Sequence, residues 1–205
     1  MITIVDYGIG NLGSIANILK KIGAHVCIAQ TSPALEKATK FILPGVGSFD
    51  EGIRKLHGSG LLPLLTSRVL QEKVPLLGIC LGMQLLTKTS QEGTLQGLGW
   101  IDAQTVRFHS DNGNKQLKIP HMGWNQVIPD KDNPLFRGMG TGPKFYFVHS
   151  YHVLCNTKED IVAQTRYGYE FTSVFRHENI WGVQFHPEKS HSFGMKLLKN
   201  FITLP

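Results

Sequence analysis

The chain has 205 residues, of which 41% are hydrophobic and 18% charged, as is usual for a globular enzyme with one substantial core. Its formal net charge of +6 comes from scattered lysines and arginines without a run of like charges, which argues against a nucleic-acid-binding arm. No apolar run is long enough to span a membrane, and the first residues do not resemble a signal peptide, so we expect a cytoplasmic protein without a membrane partner.

The first half of the chain alternates short apolar strands with helical segments. Strands are predicted, in chain order, at Ile2–Val5, Ala24–Ala29, Phe41–Leu43 and Leu76–Ile79. Helices are predicted at Asn11–Ile22 and at Gly82–Leu86. A short helix is predicted to open at Ser32-Pro33, with Ser32 as N-cap and Pro33 at the first helical position. A further helical region is predicted after Pro44-Gly45, through about Glu72. This βαβαβαβ order predicts an open, mainly parallel sheet with helices on both faces.

The second half, after about Gly97, consists mostly of short strand-like runs separated by turn residues. These runs are Ala103–Phe108, Trp124–Ile128, Phe145–Val148, Ile161–Arg166, Thr172–Arg176 and Ile180–Phe185. We expect them to be antiparallel and attached to the same sheet, which would then be mixed. A last helix is predicted over about Phe193–Phe201, and the absence of repeats and linkers predicts a single domain of residues 1–205.

A glycine motif, Gly8-Ile9-Gly10-Asn11-Leu12-Gly13, follows the first strand and resembles a dinucleotide-binding turn. Such a site also needs an acidic residue near the end of the second strand, where this chain has Gln30-Thr31-Ser32. A tight turn that joins strand to helix is the better interpretation, although a phosphate at the helix start stays open.

The strongest chemical signal is Gly78-Ile79-Cys80-Leu81-Gly82, at the junction of a buried strand and a helix. The spacing is that of a nucleophile elbow, in which small flanking residues leave room for a strained backbone. The other two cysteines, Cys27 and Cys155, lie in strand-like runs and read as core residues, and three cysteines give no disulfide framework. We therefore expect Cys80 to be a nucleophile whose thiolate is favoured by the following helix.

A cysteine nucleophile needs a base and a group that orients the base. His186 follows a predicted strand, and Pro187 then interrupts strand pairing. If the backbone stays extended, His186 and Glu188 point to the same side, and the carboxylate can hold the imidazole. The N–H of Leu81 and the loop Pro44-Gly45-Val46-Gly47 are candidate donors to an oxyanion.

These segments carry a family resemblance. The chain resembles the class I, triad-type glutamine amidotransferases, and in detail the glutaminase subunit of imidazole glycerol phosphate synthase. The matching segments begin at Asp6, Pro44, Gly78, Pro120, Phe147 and Gly182. The Cys80 and His186 segments are typical of the superfamily, and Pro120–Asn125 is typical of this subunit.

The resemblance implies a Cys80, His186 and Glu188 triad that hydrolyses glutamine, and an oxyanion hole built from Val46, Gly47 and Leu81. It further implies substrate-binding residues and residues near the partner interface and the ammonia exit. The former are Gly45, Gln84, Glu92, Ser150 and Tyr151, and the latter are Tyr146, His149 and Lys189. The implied partner is a (β/α)8-barrel cyclase that receives ammonia through a channel and makes imidazole glycerol phosphate. No cofactor or metal is expected.

Three alternatives remain at this stage. Ile53, where the family often has Met, and the stretch Lys189–Met195 are closer to related glutaminases that supply a surface-polysaccharide sugar amidotransferase. A cysteine peptidase could use a similar elbow. A zinc site could use His149 and His152, but three residues apart in one strand they would face opposite sides.

Overall fold

A computed structural model describes residues 1–109, 117–130 and 133–204. The helices are α1 (Leu12–Lys21), α2 (Ser32–Glu36), α3 (Phe49–Gly58), α4 (Leu62–Thr66), α5 (Leu81–Leu85) and α6 (His191–Thr203). The strands are β1 (Ile2–Val5), β2 (Val26–Ala29), β3 (Lys40–Gly45), β4 (Leu76–Cys80), β5 (Thr89–Ser90), β6 (Ala103–Arg107), β7 (His121–Gln126), β8 (Ile128–Pro129), β9 (Lys144–His149), β10 (Tyr151–Cys155), β11 (Ile161–Tyr167), β12 (Tyr169–His177) and β13 (Ile180–Val183). A π-helical turn (Ser67–Gln71) continues α4, and short 3-10 turns lie at Pro134–Phe136, Lys158–Asp160 and Pro187–Lys189.

The main sheet has the order β2-β1-β3-β4-β13-β12-β10-β6-β5, and β11 joins β12 and β8 beside this path. Strands β1 to β4 are parallel, whereas β12 pairs antiparallel with its neighbours β13, β10 and β11. The prediction of a mixed, mainly parallel sheet with antiparallel C-terminal strands is therefore confirmed.

Apolar residues of the central strands alternate between two cores, one on each face of the sheet. In β3, Ile42 packs into one core, with side chains from α1 and α6, while Phe41 and Leu43 pack into the other. The second core includes buried side chains from α2, α3, α4 and α5, namely Leu35, Ile53, Leu65 and Leu85. Helices thus cover both faces, as predicted.

Strand β13 departs from the prediction in a way that matters for the site. It was expected to be antiparallel, but it runs parallel to β4, with Gly182 opposite Gly78 and Val183 opposite Ile79. The carboxyl ends of β4 and β13 consequently meet at the same edge of the sheet, where open α/β sheets hold their ligands.

A second departure concerns β7 and β9, which were expected to join the main sheet. Among the strands that the structure describes, they pair with each other alone, antiparallel, with His121 opposite His149 and Trp124 opposite Tyr146. The chain contacts this ribbon again just after β13, where the His186 N–H donates to the Tyr146 carbonyl at 2.9 Å. The β7–β9 ribbon therefore stands over the carboxyl edge of the sheet.

Smaller differences lie at helix ends. Helix α2 begins at Ser32, so its N-cap is Thr31 rather than the predicted Ser32. Asn11 was placed inside the first helix, but it caps that helix by accepting a hydrogen bond from the Ser14 N–H at 3.3 Å. Over the described ranges, no helix is both long and apolar enough to cross a membrane.

Candidate active site

Cys80 lies at a sharp strand-to-helix corner. It is the last residue of β4, and its backbone angles, φ 53° and ψ −111°, are strained for a residue with a side chain. A Cβ added at Gly82 would lie 1.9 Å from the Leu43 carbonyl oxygen, and one at Gly78 would lie 2.8 Å from the Gly82 oxygen. The corner therefore requires both glycines, and the predicted elbow geometry is confirmed.

His186 and Glu188 form a buried pair just after β13. The Nδ1 atom of His186 lies 2.8 Å from Oε1 of Glu188, and the two side chains are 3% and 2% exposed. The predicted contact is present, but its predicted cause is wrong: residues 187–189 form a 3-10 turn rather than an extended backbone. The turn brings the carboxylate back under the imidazole.

The electrostatic surroundings of His186 favour its charged form. Burial alone lowers its pKa, but interactions with Cys80 and Glu188 outweigh burial and raise it to about 10. The Nδ1 atom faces Glu188, so Nε2 is the side of the ring that interacts with Cys80; apart from the sulfur, this buried atom has no hydrogen-bond partner in the described structure. Nε2 is therefore the ring atom that is left to exchange a proton with a thiol.

A cavity of about 360 Å³ lies at this edge of the sheet. Most of the residues predicted for the site line it, and the lining consists of Val46, Gly47, Cys80, Leu81, Gln84, Glu92, Pro120, Val148, His149, Ser150, Tyr151 and His186. Residues from five separate parts of the chain thus meet around one space, which is of a size that suits a small molecule. Pro120 and Val148 were not predicted as site residues, although both lie in the segments that carry the resemblance.

The Pro44–Gly47 loop passes beside the nucleophile corner. Gly45 is not among the described residues that line the cavity; a Cβ there would lie 2.6 Å from the Gly82 nitrogen, so Gly45 allows close packing of the two turns. Gly47 has φ 101°, which favours glycine. The buried Tyr7 hydroxyl donates to the Pro44 carbonyl at 2.6 Å and thereby fixes the start of this loop.

Sequence patterns gave no sign of the Tyr7 contact, because it joins residues 37 positions apart. Burial, followed by the nearby Cys80, raises the pKa of the Tyr7 phenol, which therefore stays a hydrogen-bond donor. The glycine turn that follows also serves this loop: Gly8 and Gly10 have positive φ, and a Cβ at Gly10 would lie 2.9 Å from the Pro44 Cβ. Gly13 has no neighbour within 4 Å of an added Cβ, so the close packing expected of the third glycine in a dinucleotide-binding turn is missing.

Two of the predicted substrate-binding side chains, Glu92 and Gln84, already use some of their hydrogen-bonding atoms within the protein. Glu92 accepts from the Phe49 N–H at 2.9 Å, and burial raises the pKa of this carboxyl group. Gln84 donates to the Tyr151 carbonyl and to Oε1 of Gln184, both at 3.1 Å. The second oxygen of Glu92 and the Oε1 of Gln84 remain for a ligand with donor groups.

Three buried histidines form a cluster behind the cavity wall. Burial lowers the pKa of His121 and of His152 to about 4, and that of His149 well below its usual value. His149 Nδ1 donates to the Tyr151 carbonyl at 2.7 Å, so its Nε2 accepts from His121 Nδ1 at 2.9 Å. These lowered pKa values favour neutral rings. His121 and His149 are paired with each other, whereas His152 Nε2 lies 3.0 Å from the Tyr169 hydroxyl.

The zinc hypothesis rested on a wrong premise. His149 ends β9, whereas His152 lies in β10, and both rings pack against Phe108 rather than on opposite sides of one strand. Within residues 1–109, 117–130 and 133–204, no group of three or more His, Cys, Asp or Glu side chains is arranged to hold a metal ion. The cluster instead joins the β7–β9 ribbon to the cavity wall.

The residues predicted near the partner separate into two positions. Lys189 is exposed, and its ammonium group lies 5.7 Å from the ring centre of Tyr146 on the outside of the ribbon. His149 is only 6% exposed and lines the cavity. The outer surface also carries two apolar side chains, Met122 and Trp124, which are 62% and 47% exposed.

Comparison with known proteins agrees with this arrangement. Residues 3–204 match the family described as glutamine amidotransferase class-I. The chain is 55% identical to imidazole glycerol phosphate synthase subunit HisH 2 of Methanococcus maripaludis over 98% of both chains. It is 46% identical to the protein of the same name in Pseudomonas aeruginosa over the full length of both.

Similar solved structures share the fold at lower identity. A glutamine amidotransferase from Thermotoga maritima has a TM-score of 0.68 at 18% identity, with 98% of this chain and 95% of that chain covered. The matching fold, the full-length relatives and the strained cysteine beside a buried histidine all agree: the chain belongs to the class I glutamine amidotransferases.

Proposed function

We propose that the chain is the glutaminase subunit of an imidazole glycerol phosphate synthase, a single cytoplasmic domain that releases ammonia from glutamine. The observation that carries the proposal is the strained Cys80 in one cavity with His186, whose imidazole is held by the buried Glu188. The names of the full-length relatives support the choice of synthase.

The chemistry follows from this arrangement. The Cys80 thiolate attacks the side-chain amide carbon of glutamine, and the carbonyl electron pair moves to the oxygen. When that oxyanion collapses, the C–N bond breaks and the imidazolium of His186 protonates the departing ammonia. Water then attacks the thioester with His186 as base, the C–S bond breaks, and glutamate leaves while the Cys80 thiolate and the His186 imidazolium are restored. Glu188 keeps Nε2 directed at the reacting groups throughout.

The cavity wall supplies the remaining functions. The N–H groups of Val46, Gly47 and Leu81 are our candidates for the oxyanion hole, since all three residues line the cavity beside Cys80. Glu92 and Gln84, together with the Ser150–Tyr151 segment, are proposed to hold the α-amino and α-carboxylate groups of glutamine. Gly45 acts there by packing rather than by direct contact.

The partner surface is proposed to be the outer face of the β7–β9 ribbon, and the partner a (β/α)8-barrel cyclase. Exposed Met122 and Trp124 lie there, next to Tyr146 and Lys189. Large exposed apolar side chains grouped on one face are typical of protein interfaces. His149 and its neighbour Val148 both line the cavity at the end of β9, so a path for ammonia would run past them.

A second acceptor has one structural observation in its favour. His191 stacks on Trp124 with ring centres 5.2 Å apart. The stretch Lys189–Met195, whose sequence is unusual for the histidine-pathway subunit, therefore lies on the proposed partner face. Ile53 gives no support to this alternative, because it lies on α3, is buried in the core and cannot contact a partner. A synthase of surface-polysaccharide amino sugars therefore stays the alternative recipient of the ammonia.

The test measures glutamate and ammonia release by the purified chain with and without each candidate cyclase. We expect weak activity alone, strong activation by the histidine-pathway cyclase, and none in Cys80→Ala even when that variant binds the partner. Glutamine turnover by Cys80→Ala would remove the proposed mechanism. Activation only by the polysaccharide-pathway partner would replace the proposed acceptor.

A further inference from the structure

Gln184 lies directly after β13, and its side chain is fully buried against the nucleophile. Its Nε2 is 3.8 Å from the Cys80 sulfur, and its own backbone N–H is anchored to the Ser173 carbonyl at 2.9 Å. We propose that Gln184 is a further catalytic residue, whose amide N–H donates to the Cys80 thiolate and stabilises its charge. This inference rests on the proposed function and assigns a new role within the same site.

The direction of the Gln184 amide follows from its neighbours. The Tyr151 carbonyl can only accept a hydrogen bond, so the Gln84 atom that faces it at 3.1 Å must be the amide nitrogen. The same nitrogen lies 3.1 Å from Gln184, which must therefore present its oxygen to Gln84. The remaining end of the Gln184 amide, its N–H2 group, is left to face the sulfur.

The role differs from that of His186. A side-chain amide neither gains nor loses a proton near neutral pH, so Gln184 stabilises the sulfur's negative charge without competing with His186 for the thiol proton. The titratable groups that act on the sulfur are His186 and Tyr7, with Glu188 behind the imidazole. Because Cys80 is only 7% exposed, water provides little alternative solvation for the thiolate.

The donor acts when the sulfur carries charge. It favours the thiolate before attack, and it favours the thiolate again as leaving group when the thioester is hydrolysed. The thioester sulfur itself is neutral and gains little from the contact. Loss of the donor should therefore lower turnover more than it weakens glutamine binding.

The experiment compares Gln184→Met, which removes the donor at similar volume, with Gln184→Glu, which keeps the shape but presents an acceptor. Alkylation of Cys80 by iodoacetamide is followed against pH in the full chain by peptide mass spectrometry. Cys27, which is partly exposed, serves as the internal reference, because burial raises the pKa of the Cys155 thiol to about 12. Gln104→Glu makes the same change of charge at an exposed position of β6 and is the matched control.

We expect the midpoint of the alkylation profile to move up by about one pH unit in Gln184→Met, with about tenfold slower modification at pH 7. Gln184→Glu should move it further, and Gln104→Glu should not move it. The value of kcat for glutamine should fall about tenfold in Gln184→Met, and KM should stay within about twofold. Thermal unfolding establishes that each variant is folded.

An unchanged Cys80 profile in a folded Gln184→Met protein would overturn the inference. If Gln184→Met does not fold, the isosteric Gln184→Glu variant tests the inference by itself, and an unchanged Cys80 alkylation profile in that variant would also overturn it. Failure of the proposed function looks different: Cys80→Ala would still hydrolyse glutamine, whatever the alkylation profiles show. A shifted profile with unaltered glutamine turnover would also contradict the catalytic role.

Discussion

The two edges of the central sheet carry cavities of different kinds. The cavity at the amino ends of β4 and β13 is the larger, about 550 Å³, and includes Lys73, Arg176, Glu178 and Trp181. Lys73 pairs there with Glu178 at 2.5 Å, and Arg176 covers the Trp181 ring at 4.8 Å. The cavity at the carboxyl ends is smaller.

The smaller cavity contains the features that cost free energy. Cys80 has a strained backbone, and His186 Nε2 and Glu188 Oε2 are buried without a hydrogen-bond partner among the described residues. The amino-edge cavity has one comparable atom, Oδ1 of Asn179, but that amide is neutral and its nitrogen donates to Val69 and Val74. Backbone strain and a buried ion pair with one unpartnered atom on each group, rather than volume, thus distinguish the reactive edge.

The largest expected contrast between the edges comes from removing one cation from each. In the complex with the cyclase partner, His186→Ala should lower glutamine turnover by about a thousandfold or more, because one side chain acts as both the acid and the base. Arg176→Ala should leave turnover within about twofold. Steady-state glutamate release measures both. A comparable loss in the two variants would show that the edges are not functionally distinct.

A pair of glycine substitutions tests the strained corner. Gly82→Ala should destabilise the fold by more than about 3 kcal/mol, because its Cβ would overlap the Leu43 carbonyl. Gly13→Ala, in α1 with no neighbour within 4 Å, should be neutral or add about 0.5 kcal/mol of stability. Urea unfolding measures both. Equal stabilities would disprove the close approach of the two turns.

The buried pair should make stability depend on pH. Because Cys80 and Glu188 together outweigh burial and raise the folded-state pKa of His186 from 6.5 to about 10, the stabilising contribution of the charged imidazole is complete below about pH 6.5 and is lost as pH rises towards 10. Glu188→Gln should lower the free energy of unfolding at pH 6.5 by about 1–3 kcal/mol and flatten this decline. Denaturant unfolding at several pH values checks this, and parallel curves for both proteins would speak against the pair.

The smallest effect is expected from loss of the hydrogen bond that holds the start of the Pro44–Gly47 loop. Tyr7→Phe removes the hydroxyl that holds the Pro44 carbonyl and should lower kcat about three- to tenfold with little change in KM. Tyr167→Phe removes a similar hydroxyl contact, to the Lys118 carbonyl at 2.5 Å, and is the matched control. If both variants lose the same activity, the Tyr7 contact is not specific to the loop.

Local patterns predicted the parts of the site that depend on neighbours in sequence. The glycines around Cys80 and the spacing of His186 and Glu188 are of this kind, although the 3-10 turn that joins the latter pair was not foreseen. The parallel placement of β13 beside β4 depends on strand order, which alternation of apolar residues does not encode. The same reason explains why β7 and β9 were expected in the main sheet.

The residues missed in sequence act through distant contacts. Gln184 meets Cys80 across 104 positions, and Tyr7 meets Pro44 across 37. Nothing in the residues next to either one indicates its partner. Only the fold, by bringing β1, β3, β4 and β13 to one edge, makes their roles visible.

The most direct test of the central claim is to look for the acyl group itself. The complex of the chain with its cyclase partner is mixed with glutamine, quenched in acid within one turnover, and digested for peptide mass spectrometry. We expect a γ-glutamyl thioester on Cys80 and none on Cys27 or Cys155. Glutamine turnover with Cys80 unmodified, or with the acyl group on another cysteine, would contradict the account.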